Sequence, residues 1–287
     1  MMEVRTRSPK EATRVLERGI RLGTIAGVEV RLHWSLLVIF WLISWSLAVG
    51  VLPVLYPGSA TAAYWMAALI AAAVFFVSLL AHELGHAVVA RRQGVAVEGI
   101  TLWLFGGVAK MRGETMDPNA ELRITAVGPA ISLVAAAGFG MLALALSAIG
   151  APQLIVGVPT WLAVINAVLA VFNLMPAYPL DGGRVLRAWL WKRRGDKVSA
   201  TRTAAAAGRA FAYGLIGLGL LQFAFAATIS GIWLIFLGWF LLGAARAEES
   251  QTLLREALRD VHTRHLMSEN PVTVPARLDV PSFVQDY

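Results

Sequence analysis

The chain has 287 residues, 57% of them hydrophobic and 15% charged, and its mean hydropathy of +0.65 excludes an ordinary water-soluble domain. The absence of cysteine excludes disulfides and thiolate-ligated metal. A formal net charge of +7 does not call for nucleic acid, because basic loops on one side of a membrane protein produce the same balance, and no nucleic-acid partner is expected.

In chain order, residues 1–31 form an arginine-rich N-terminal segment, rather long for the n-region of a secretory signal, so no cleavage is expected. At its end Val28-Glu29-Val30-Arg31-Leu32-His33-Trp34 alternates apolar and polar residues, the period of a half-buried strand at the membrane surface. Charge-poor runs follow at about 34–52, 64–90, 124–148, 154–175, 211–227 and 229–245, each close to the roughly 20 residues that cross about 30 Å of hydrocarbon. Between the second and third, Val95–Phe105 reads as a strand, breaks at Gly106 and Gly107, and resumes at Val108–Met111, like a hairpin. Bare amides cannot face lipid, so a protein-lined cavity is expected beside it. Residues 246–264 read as a linker helix, and 265–287 as the start of a further module. The expected fold class is an all-α membrane protein: six transmembrane helices over 32–245, with a small membrane-associated β-sheet or hairpin on the cytoplasmic side.

Lys and Arg set the orientation. All 25 fall in 1–31, 91–123, 184–209 and 246–287, and none in the alternate loops near 53–63, 149–160 and 226–231. Cytoplasmic loops carry these residues in excess, so a multi-pass protein of the inner or plasma membrane with both termini cytoplasmic is expected.

Near the cytoplasmic end of the second run stands His82-Glu83-Leu84-Gly85-His86, in a stretch otherwise free of charge from Trp34 to Ala90. Two histidines at i and i+4 lie about 40° apart around a helix axis, so both can reach one metal while Glu83 faces its open side. Ionisable residues in an apolar helix are costly unless paired, ligated or wetted. A catalytic zinc takes three protein ligands and keeps a fourth position open. From 124 to 183 there is no Glu and a single Asp, Asp181. The second and fourth runs both travel towards the cytoplasm, so Asp181 reaches the depth of His82 and His86. Pro176 and Pro179 break the helix, and Gly182-Gly183 allows a tight turn. An Asp capping the next helix is the alternative reading. Asn166 and Asn173, at i and i+7, are candidates for contact with substrate or a developing oxyanion, or for helix-packing hydrogen bonds. His33 is a further candidate, although an interfacial histidine is more often structural.

The HExxH motif and Pro176-Ala177-Tyr178-Pro179-Leu180-Asp181-Gly182-Gly183-Arg184 together resemble the site-2 protease family of intramembrane zinc metalloproteases. Further similarity lies in 27–34, 105–109 and 128–133, and the branch resembled carries no PDZ domain between the third and fourth spans. The resemblance implies one Zn2+ per chain held by His82, His86 and Asp181, with Glu83 as general base; independently of it, the edge of the hairpin at 95–111 can hold an unwound substrate by strand addition, which makes Gly106 and Gly107 candidates for substrate contact. The resemblance also implies a single-span membrane substrate within the lipid bilayer, such as an anti-sigma factor or membrane-bound transcription factor, and leaves a homodimer open. Residues 265–287 resemble the opening of a CBS domain, so adenine nucleotide is expected only with a complete CBS pair. A non-proteolytic metal transporter or sensor is the alternative function; such a protein has no need of Glu83.

Overall fold

The computed structural model describes residues 19–103, 106–112, 115, 117–226 and 229–258. The N-terminal residues 1–18, the hairpin turn at Leu104 and Phe105, and the CBS-like segment 265–287 lie outside the described residues. Six helices are long and apolar enough to cross a membrane: Ser35–Leu55, Thr61–Arg92, Pro118–Ala148, Gln153–Asn173, Lys197–Phe225 and Ser230–Leu254. In chain order the helices are α1 (Ser35–Leu55, π-helical over Ser46–Val51), α2 (Thr61–Arg92), α3 (Pro118–Ala148), α4 (Gln153–Asn173), α5 (Asp181–Arg194), α6 (Lys197–Ala226) and α7 (Ile229–Ala257). The chain is thus an all-α membrane protein carrying one small sheet.

That sheet has four strands in the order β1 (Ile20–Ile25), β2 (Val28–Leu32), β3 (Ala96–Trp103) and β4 (Gly106–Arg112). The strand expected at 28–34 is β2, and the expected hairpin forms, but its break falls between Trp103 and Gly106: Gly106 and Gly107 are paired residues of β4, opposite Trp103 and Leu102, and not the break itself. The addition is β1, which pairs antiparallel with β2 through a turn in which Ala26 and Gly27 both take positive φ. Alternation in β2 buries Val28 and Val30 and leaves Glu29 and Arg31 on the other side. β2 runs parallel to β3, placing Val30 opposite Ile100 and Leu32 opposite Leu102. Val28, Ile100 and Leu102 form one apolar cluster with Leu36 of α1 and Ala87 of α2. Arg91, at the end of α2, donates from Nη1 to the Ala26 carbonyl at 2.8 Å. The sheet is therefore held against the helix that carries the HExxH motif, and among the described residues β4 is an open edge.

Small side chains let the bundle close. Ala67, Ala68 and Ala71 of α2 are buried against Leu47 and Leu52 of α1. In the α6–α7 pair, a Cβ at Gly219 would lie 2.6 Å from the Gly231 carbonyl oxygen, and one at Gly231 would lie 2.7 Å from that of Gly219, the close backbone approach typical of membrane helices.

Three boundaries differ clearly from the sequence expectation: the helix of the fifth span, expected from 211, begins at Lys197, and two others shift as well. α3 starts at Pro118, because Asp117 caps it by accepting from the Asn119 and Ala120 amides at 3.1 and 3.0 Å. This brings Glu121 and Arg123 into the helix. The expected linker helix is continuous with the sixth span: α7 runs unbroken to Ala257, since 246–257 contains no Gly or Pro to end it.

Candidate metal centre

His82 and His86 are buried on one face of α2, and Asp181 opens α5 from the loop that leaves α4. Their donor atoms converge. His82 Nε2 and His86 Nε2 are 3.2 Å apart, and Asp181 Oδ2 lies 3.3 Å from the first and 3.1 Å from the second. Donors at about 2.0–2.2 Å in a tetrahedron stand roughly 3.3–3.5 Å from one another, so the triangle matches one face of a tetrahedral zinc site. Among the described residues this is the group of three that could hold a metal. Two imidazole nitrogens and a carboxylate oxygen, with a fourth side left to the cavity, are the donor set of a catalytic zinc.

Both rings are oriented from α3. His86 Nδ1 donates to the Ile124 carbonyl at 2.6 Å. A carbonyl can only accept, so this bond puts the proton on Nδ1 and leaves the Nε2 lone pair for a metal. His82 Nδ1 shares a 2.9 Å hydrogen bond with the buried Ser132 hydroxyl. Between these two anchors, a Cβ at Gly128 would overlap His86 Nε2 and lie 2.6 Å from His82 Nε2. The space a metal needs exists because this residue has no side chain.

The Asp181 loop is equally tight. A Cβ at Gly182 would overlap the Leu174 carbonyl, one at Gly183 the Tyr178 amide, and one at Gly208 of α6 the Tyr178 carbonyl. The Leu-Asp-Gly-Gly run therefore serves close approach as well as turning. Burial alone would raise the pKa of the Asp181 carboxyl, but the two imidazoles against it outweigh that and hold the group well below the ordinary carboxylate range. Asp181 is an anionic donor. Asp181 opens α5 at its first turn, so the capping alternative and the ligand reading place it at the same spot.

Glu83 and the three donors line one cavity of about 780 Å3. A Cβ at Gly107 of β4 would overlap Glu83 Cγ and come 2.5 Å from its Cδ, so this glycine lies directly against the Glu83 side chain. Gly106, Gly107 and Asn173 belong to the same lining, with Phe236 and Phe240 of α7 opposite.

Asn166 and His33 are not among the cavity's described lining, which departs from the sequence expectation. Asn166 is fully buried and donates from Nδ2 to the Leu162 carbonyl one turn back in the same helix at 2.8 Å, a bond that joins it to neither substrate nor another helix. His33 is taken up by Ser35, whose hydroxyl is 2.8 Å from its Nδ1, and by its amide bond to Leu102. Sequence reasoning gives no role to Ile124, Ser132, Glu121 or Arg187. The only signals it has there are a serine and a glutamate in an apolar helix; a backbone carbonyl leaves no trace in composition.

The family model described as peptidase family M50 matches residues 70–157 and 151–216. Rip3 of Mycobacterium tuberculosis, which carries a zinc metalloprotease name, is 47% identical over 268 residues, 93% of this chain and 68% of that protein. The zinc metalloprotease MJ0392 of Methanocaldococcus jannaschii is 31% identical over 271 residues, 92% of this chain and 70% of that protein. Among solved structures, the site-2 protease of the same archaeon superposes with a TM-score of 0.50 at 31% identity, covering 80% of this chain and 95% of that one.

Proposed function

As a member of peptidase family M50, the site-2 proteases, the chain is an intramembrane zinc metalloprotease, and we propose that His82, His86 and Asp181 hold its zinc while Glu83 is the general base. The observation that carries this reading is the convergence of three donor atoms at 3.1–3.3 Å in a cavity that also exposes Glu83. The family's protease names favour hydrolysis over metal transport or sensing.

Bound zinc supplies Lewis acidity toward a carbonyl oxygen and toward water. Glu83 takes the proton of the attacking water and returns it to the leaving amine, the ordinary dual duty of a carboxylate in peptide hydrolysis. Gly107, lacking a side chain, leaves the Glu83 carboxylate the room it occupies beside the cavity. Asn173, at the end of α4, is placed to contact the substrate backbone. With the 25 basic residues confined to alternate segments, the ligand-bearing end of α2 faces the cytoplasm, as do both termini. The substrate is a single-span membrane protein cut near that face, such as an anti-sigma factor or membrane-bound transcription factor.

The full chain, co-reconstituted with a panel of single-span substrates, should contain about one zinc and cut at least one of them. Asp181→Ala should lose most of that zinc and its activity together. If Asp181→Ala kept zinc at the wild-type level, the ligand assignment would be wrong.

A helical substrate has its carbonyls locked in internal hydrogen bonds and must unwind to be cut. β4, paired to β3 on one side only, can accept the unwound strand by main-chain pairing with little demand on sequence. Proline placed singly along 108–110 should slow cleavage roughly 10-fold or more at positions whose amide faces the open edge, about the effect of one lost main-chain hydrogen bond. Unchanged cleavage across the whole scan would remove this role for the edge.

A further inference from the structure

The two halves of the metal site come from chain segments 95 residues apart, and one helix aligns both. At about 100° per residue, Glu121, Ile124, Gly128 and Ser132 share one stripe of α3. Three of these touch the histidines: Ile124 and Ser132 by hydrogen bonds, Gly128 by close approach. The fourth, Glu121, touches neither. It is 1% exposed and accepts from Arg187 of α5, from Nε at 2.8 Å and also from Nη2.

Arg187 is 5% exposed and lies six residues after Asp181. Its guanidinium carbon sits 5.3 Å from the centre of the Tyr178 ring, three residues before Asp181. Tyr178 is itself buried and donates its hydroxyl to Glu248 of α7 at 3.1 Å. The side chain that Glu121 holds thus spans the loop and the helix on either side of the third ligand. A buried ion pair is seldom the most stable filling for such a space, and Glu121 Oε2 has no hydrogen-bond partner among the described residues. Plain packing does not account for it.

We propose that Glu121 and Arg187 are positioning residues for the metal site: the pair registers the Asp181 loop against the helix that orients His82 and His86. This rests on the reading of Asp181 as a zinc ligand. Partners that orient a metal ligand typically change affinity by about 10–100-fold, and a shift in the loop would be felt at the metal before it was felt in the fold.

The test is zinc affinity of the full chain in detergent, by competition with a chelator, for wild type, Glu121→Gln, Arg187→Lys, Arg187→Met and Asp181→Ala, with Asp181→Ala also combined with each of the others. Glu121→Gln is the mild variant, because the amide oxygen still accepts from Arg187 and the fold is retained. We expect Kd to rise roughly 10-fold in Glu121→Gln and up to about 100-fold in Arg187→Met, with Arg187→Lys between wild type and Arg187→Met. In the Asp181→Ala background none of the three should weaken zinc further, and excess zinc should restore cleavage to the single variants that retain Asp181. A Kd within about twofold of wild type in every pair variant that folds, or a full additional loss on top of Asp181→Ala, overturns the proposal. If instead Asp181→Ala leaves Kd unchanged, it is the ligand assignment that fails.

Discussion

Gly128→Ala is expected to abolish zinc binding while leaving the bundle folded. The new Cβ would overlap His86 Nε2 and come 2.6 Å from both His82 Nε2 and His86 Cε1. Overpacking in a core ordinarily costs about 1–3 kcal/mol, because neighbours shift a little. Here the neighbours are the two ligating rings, whose Nδ1 atoms are tied to Ile124 and Ser132 of the same helix. Neither ring can retreat without losing its anchor. Even about 3 kcal/mol taken from metal affinity is more than 100-fold in Kd, and cleavage should fall with occupancy. Gly138→Ala, on the same helix with nothing within 4 Å of its new Cβ, is the control; it should bind zinc normally and be slightly stabilised by helix propensity. Zinc content by metal analysis, with thermal unfolding alongside, reads both. Normal zinc content in Gly128→Ala would mean that the rings are not held as described.

Glu83→Gln should have the opposite signature: zinc retained at about one per chain and cleavage reduced by roughly 10^2–10^4, the usual worth of a positioned general base. Glutamine keeps the shape of the side chain, but it cannot take a proton. Gly107→Ala should approach the same phenotype by another route, since its Cβ would overlap Glu83 Cγ and come 2.5 Å from Cδ, turning the carboxylate away without touching a ligand. A Glu83→Gln protein that cut its substrate at the wild-type rate would rule out the general-base role.

Together the pair separates metal capture from proton transfer. Gly128 and Gly107 sit on different elements, α3 and β4, and each owes its place to one atom that must not be there. HExxH, the motif that announces the site, is by contrast a local pattern. Its two histidines share a face because a helix turns once in 3.6 residues, so their proximity is legible in the residue order alone. Asp181 requires one further step: depth in the membrane, inferred from two spans running the same way. It stands out because a 60-residue stretch, 124–183, holds a single acidic residue.

Other features are not legible. The strand at 28–34 shows as alternation, but its parallel pairing with β3 joins segments separated by two membrane helices, and period-2 patterns do not say which strand lies beside which. Asn166 and Asn173 have the same chemistry and share a helical face, yet Asn166 is fully buried, whereas the last turn of α4 opens to the cavity at Leu169, Phe172 and Asn173. Only packing distinguishes them. The continuation of α7 through 246–257 escapes a reading by composition, because a change from apolar to charged residues marks the end of the membrane rather than the end of a helix.

By itself, then, the sequence determined the solvent and the six crossings, and it singled out the one-sided basic loops and the three residues proposed as donors, because hydropathy, positive charge and helical spacing act over neighbouring residues and need no partner. Tertiary structure alone decided what surrounds those donors: the Ile124 carbonyl, the Ser132 hydroxyl, the room beneath Gly128 and the Glu121–Arg187 pair. These are contacts between distant segments, and several are made by backbone or by a missing side chain, which any residue pattern leaves unwritten.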